Sequence, residues 1–150
     1  MDTMAFVEKF LQAHFRDYSC DLEEKTFEYG IRGKFIDIHG IIYCPEIDEE
    51  GYIMFDEIGS HAMLECHIPE DKTGEVVALI THVIEKENNT FARIYLQDHH
   101  ITASYRFLVW DEMSEEQLNL LLLSPVRYLL DYEEDFLHTI IGDKKKEEWS

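Results

Sequence analysis

The apolar residues of this chain switch between two spacings, and the switches divide it into elements. From residue 3 to residue 18, Val7, Phe10, Leu11, His14 and Phe15 recur three and four apart, one stripe on a helix that Asp2 or Thr3 can cap. Between Lys25 and Ile68 the residues alternate instead. "TFEYGIRG", "KFIDIHGIIYC", "GYIMFDEI" and "HAMLECHI" are rich in aromatic and β-branched side chains. Gly33, "PEIDEEG" and Gly59-Ser60 separate them, as expected for three or four antiparallel strands. "EVVALITHVIEKENN" returns to the helical period, with Val76, Val77, Ile80, Val83 and Ile84 on one face, Thr73 as cap and Asn88-Asn89 as stop.

From Thr90 to Trp110 the alternation resumes. Ile94, Leu96, Ile101, Ala103, Tyr105, Phe107 and Val109 form one set, and Asp98-His99-His100 falls between the two arms of a long hairpin. Ser114 with Gln117 makes a capping box for "EEQLNLLLLS". Ser124-Pro125 suits the end of that helical segment and the start of another, which Gly142 closes. The resulting order, α-β-β-β-α-β-β-α, predicts an α+β fold: an antiparallel sheet, meander plus hairpin, with helices packed on one face. A length of 150 residues suits one domain, placed at residues 1–142, followed by a charged tail at 143–150.

Against 13 Lys and Arg stand 32 Asp and Glu, a formal charge of -19. Such a surface repels phosphate backbones and anionic headgroups, which argues against nucleic acid and membrane as partners. Hydrophobic residues are nonetheless 45% of the chain and aromatic residues 13%, enough to build a core. No apolar run reaches the length of about 18 residues that a membrane span needs. "MDTMAFVEKF" lacks the basic start of a signal peptide. Cys20, Cys44 and Cys66 are odd in number, widely spaced and without a C-x-x-C pair. They suggest a reducing cytoplasm, with neither a disulfide framework nor a zinc site.

Candidate chemistry centres on histidine. Adjacent strand residues face opposite ways, and at a turn His99 and His100 would sit exposed without a third ligand, so they are read as turn residues. His61 and His67 on one strand would lie about 20 Å apart, with Cys66 on the other face. His14, on the stripe of the first helix, is read as a core histidine. "DEEG" at residues 48–51 lacks the frame of a calcium loop. Gly30 and Gly33 read as a bend between strands, and no nucleophile elbow, phosphate loop or metalloprotease motif is present. No catalytic, cofactor-binding or metal-binding residue is therefore expected. What remains is the second hairpin set, Arg93, Tyr95, Thr102, Ser104, Arg106, Leu108 and Trp110. Arginine and aromatic residues favour interface centres, so Tyr95, Arg93, Arg106, Leu108 and Trp110 are the candidate interface.

The order of elements from Val7 to Ile140 resembles the YbjN family, grouped with type III secretion chaperones by fold. "EVVALITHVIEKENNTFARIYLQDHHITASYRFLVWDEMSEEQLNLLLLSPVRYL" carries the resemblance: a helix leads into a hairpin and then into a Ser-capped helix. It departs from the family pattern at "IEKENN", where members often have an Ile-Asn pair, and at the hairpin tip, which commonly contains Gly. The resemblance implies a type III secretion chaperone-like fold and a homodimer that binds protein or peptide, without catalytic residues or cofactor. The expectation is a non-catalytic protein-interaction module, chaperone-like or regulatory. Its rivals are an acidic immunity or inhibitor protein that captures a basic toxin or nuclease, and a small α+β enzyme with His67, His99 or His100 as base in a sheet-helix pocket.

Overall fold

The computed structural model describes residues 3–15, 17–44, 56–87, 92–109 and 112–142. Along the chain come α1 (Thr3–His14), β1 (Tyr18–Asp21), β2 (Thr26–Ile31), β3 (Ile38–Tyr43), β4 (Asp56–Leu64), a 3-10 turn (Glu70–Lys72), α2 (Thr73–Lys86), β5 (Arg93–Gln97), β6 (His100–Val109) and α3 (Glu115–Ile141). The strands form one sheet in the order β1-β2-β3-β4-β6-β5, and every neighbouring pair is antiparallel. The α+β class and the meander-plus-hairpin arrangement are as expected, with four strands before α2.

The strand that alternation did not mark is β1. "YSCD" is short and mostly exposed, so it has no apolar rhythm to read. It is held by its turn: the Asp21 carboxylate accepts the N–H groups of Glu23 and Glu24 at 3.0 and 3.1 Å, and Lys25 takes the left-handed conformation. Gly59-Ser60 does not separate two strands. Both residues lie inside β4, with Ser60 opposite Ile42 and Tyr105. Gly30 likewise lies inside β2, and only Gly33 sits in the bend. Asp2, "PEIDEEG", the first five residues of "GYIMFDEI", Asn88-Asn89, Trp110 and the tail lie outside the described residues.

One face of the sheet is covered. Phe27, Ile38, Ile42, Ile58, Leu64 and Ile101 point inward to meet Leu118, Leu122, Val126, Leu129 and Phe136 of α3, all buried. Each such side chain removed from water contributes about 1.5–3 kcal/mol. Helix α1 adds Val7, Phe10 and Leu11. His14, expected in the core, is exposed beside the Phe10 ring at the helix end, 4.8 Å between centroids. Tyr29 lies across Gly40, its partner in β3, and any Cβ there would run into the ring.

Helix α2 is rotated from the expected face: it buries Val76, Leu79, Ile80 and Val83, leaving Val77 and Ile84 about half exposed. Thr73 does not cap it, because the preceding 3-10 turn already directs the chain into the helix with Lys72 at the N-cap position. Helix α3 does open on the expected capping box of Ser114 and Gln117, and closes on Gly142 at φ 80°. It is not interrupted at Pro125. Proline leaves the Leu121 carbonyl, four residues back, without its N–H donor, and the Ser124 hydroxyl supplies one at 2.9 Å. From the sheet, the Ser60 hydroxyl donates to the next carbonyl, Leu122, at 2.8 Å. No helix among the described residues is long and apolar enough to cross a membrane.

Candidate functional site

Among the described residues, no helix lies on the other face of the sheet. Alternation places Ile41, His61, Ser104 and Arg93 in one row across β3, β4, β6 and β5. Tyr43, Gly59 and Arg106 form the row on one side, and Met63, Thr102 and Tyr95 the row on the other. Leu108 stands farther along, opposite Glu57 and 49% exposed. The structure therefore brings Arg93, Tyr95, Arg106 and Leu108 onto one face, as the hairpin alternation predicts. Thr102, from the same set, is buried between its neighbours.

Two adjoining hollows indent this face. The first, of 410 Å³, is lined by Ile41, Tyr43, His61, Met63, Tyr95 and Arg106 among others. The second, of 470 Å³, shares His61, Tyr95 and Arg106 and adds Arg93 and Ser104. Gly59 contributes no side chain between Tyr43 and Arg106, which leaves room for the His61 ring: its Nε2 is 3.3 Å from where a Cβ on Gly59 would stand. The Tyr43 ring meets His61 edge to face at 5.3 Å. His61 Nε2 is shielded from solvent and has no hydrogen-bond partner among the described residues. Burial, and then the Arg106 charge, hold the His61 imidazole below its ordinary pKa. Arg93 lies over the Tyr95 ring at 5.8 Å. The wall is thus apolar toward β3 and cationic toward β5 and β6, suited to holding a ligand by contact and charge.

The other histidines gather elsewhere. Strand β4 ends at Leu64, so His67 leaves the sheet, and its ring comes to 5.0 Å from that of His99 and 5.7 Å from that of His100. Carrying the strand on to His67 had hidden this proximity. Asp98 and His99, at φ 50° and 62°, form a two-residue turn, while His100 belongs to β6 and pairs with Gln97. The turn is therefore Asp98-His99, one residue shorter than the sequence suggests. The Ile68 N–H donates to the His99 carbonyl at 2.8 Å, tying the tip to the chain after β4. His67, His99 and His100 line neither hollow of the open face. Among the described residues, no group of three or more His, Cys, Asp or Glu is disposed to hold a metal ion. "DEEG" and Trp110 lie outside those residues.

Ile41, Tyr43, His61 and Met63 were missed as site residues. Their signal was present, since they are the off-beat positions of β3 and β4, but which beat faces the helices is settled only by pairing.

No family model matches the chain, and no curated protein matches it. A crystal structure of YbjN from E. coli, described as a proposed transcription regulator, matches over 88% of this chain and 92% of that one, with a TM-score of 0.52 at 11% identity. At that coverage, the six-stranded antiparallel sheet with its three helices has the YbjN fold.

Proposed function

We propose that this chain is a non-catalytic protein-interaction module, chaperone-like or regulatory, that docks a protein or peptide on its open sheet face. The observation that carries the reading is the one-sided sheet: helices cover one face, while the other presents a hollow walled by Tyr43, Tyr95, Met63 and Arg106. Aromatic residues, Met and Arg are the side chains enriched where proteins meet. A fold shared with a proposed transcription regulator is in keeping with a regulatory role. Two copies would associate as a homodimer in the cytoplasm, and no cofactor takes part.

Affinity capture with the wild type and with a Tyr95→Ser, Leu108→Asp variant tests the proposal. The variant is expected to lose the partner that the wild type retains while melting at the same temperature. Equal retention by both would move docking to another face. Light scattering of the wild type reads the homodimer.

A second reading, a histidine base in a pocket, draws on His61, whose pKa is lowered in the wall of a hollow. That hollow is on the open face rather than between sheet and helices, and His61 Nε2 has no orienting partner among the described residues. The inhibitor reading would have to use another face, since Arg93 and Arg106 repel a basic toxin from this one.

A further inference from the structure

Two guanidiniums, those of Arg93 and Arg106, line one hollow of a molecule that has 32 Asp and Glu against 13 Lys and Arg. Among the described residues, Lys9 pairs with Glu115 and Lys72 with Glu75. Arg93 and Arg106 form no ion pair among the described residues. Yet they are neighbours: Arg93 is paired with Ser104, two residues from Arg106, and both line the second hollow. His61, in the wall common to both hollows, adds a buried ring nitrogen without a partner among the described residues. Asp98 lines the first hollow but not the second, so the cationic end is the one toward Arg93 and Arg106.

We infer that the ligand of this face is an extended acidic peptide, with a carboxylate between Arg93 and Arg106 and an apolar side chain on Ile41, Tyr43 and Met63. This rests on the docking reading above and names the chemistry of the partner. A guanidinium presents a planar fork of donors that fits a carboxylate with two parallel hydrogen bonds. Strands β6 and β3 are two strand spacings apart, about 10 Å, which an extended peptide covers in two to three residues. A free small carboxylate would satisfy the arginines and leave the apolar end empty. Glu28 opposite Ile41, Glu57 opposite Leu108, and Asp98 in the first hollow are acids at this face and oppose an anionic ligand. That leaves the space between Arg93 and Arg106 as the place for its carboxylate. Acids farther off than about 8 Å are screened at physiological salt.

The test is selection of displayed random heptapeptides on the full chain, followed by binding of the selected peptides, fluorescein-labelled, to the wild type and to Arg93→Gln, Arg106→Gln. Both arginines are exposed, and a thermal melt checks that the variant is folded. Expected is enrichment of Asp or Glu two to three positions from an aromatic or aliphatic residue, with at least a tenfold loss of affinity in the double variant. Selected peptides without acid, or bound equally by the variant, would overturn the inference and leave docking intact. No enrichment on the wild type would overturn both. Displacement of the peptide by glutarate at equal concentration would assign the site to a small carboxylate and remove the peptide.

Discussion

Glu133 is one acid among many in the sequence, and nothing in its local pattern sets it apart. In the fold it is 4% exposed, and its carboxylate accepts the backbone N–H groups of Lys34, Phe35 and Ile36 at 2.8, 3.4 and 3.3 Å. It thereby pins the connection between β2 and β3 onto α3. Gly33 makes the approach possible, since a Cβ there would run into the Ile36 carbonyl and the Glu133 carboxylate. Glu133→Gln replaces one accepting oxygen with a donor and is expected to cost about 2–3 kcal/mol, by the worth of hydrogen bonds to a charged group. Gly33→Ala is expected to destabilise comparably, and the two together less than additively, because they disrupt one contact. Urea denaturation reads all three, and an unchanged midpoint for Gly33→Ala would show that the loop yields freely. The sequence marked Gly33 as a bend. Its partner 100 residues on belongs to tertiary structure alone.

Among the elements, the β5–β6 hairpin was the most legible, because seven apolar residues keep one beat across it. Its register is set by the two-residue turn, where Asp98 and His99 both hold left-handed conformations. A side chain in that conformation costs about 1–2 kcal/mol relative to glycine, and Asn-Gly is the pair that such turns favour. Asp98→Asn, His99→Gly is therefore expected to stabilise the fold by about 1 kcal/mol, seen as a higher melting temperature. A lower one would mean that the His99 ring, packed on His67, contributes more than the turn loses. Helix α3 was less legible, because the expected break at Pro125 is a local rule. Ser124 and Ser60 supply donors to neighbouring carbonyls, and only the first of these is adjacent in sequence.

At the scale of the whole molecule, acidification acts through groups of opposite sign. His61 has a lowered pKa in the fold, so its contribution to stability is present above about pH 6.5 and is lost as pH falls below it. The Asp131 carboxyl, pushed up by burial and then by Glu87, works the other way, as does relief of repulsion among the acids. Comparison with His61→Asn isolates the first effect. Between pH 8 and pH 5 the wild type is expected to lose more stability, or gain less, than the variant in thermal melts, and parallel curves would show that His61 does not report on folding. On the alkaline side, burial raises the hydroxyls of Tyr29, Tyr132 and Tyr128, the last to about 12, so stability present below about pH 10 is lost as pH rises. The sequence by itself determined the order of elements, their class and the two beats of each strand, because apolar spacing is a local consequence of backbone geometry. Only the tertiary structure decided which beat the helices cover, which buried acid meets which loop, and that Arg93 and Arg106 stand together beside His61, because those depend on pairing residues far apart in the chain.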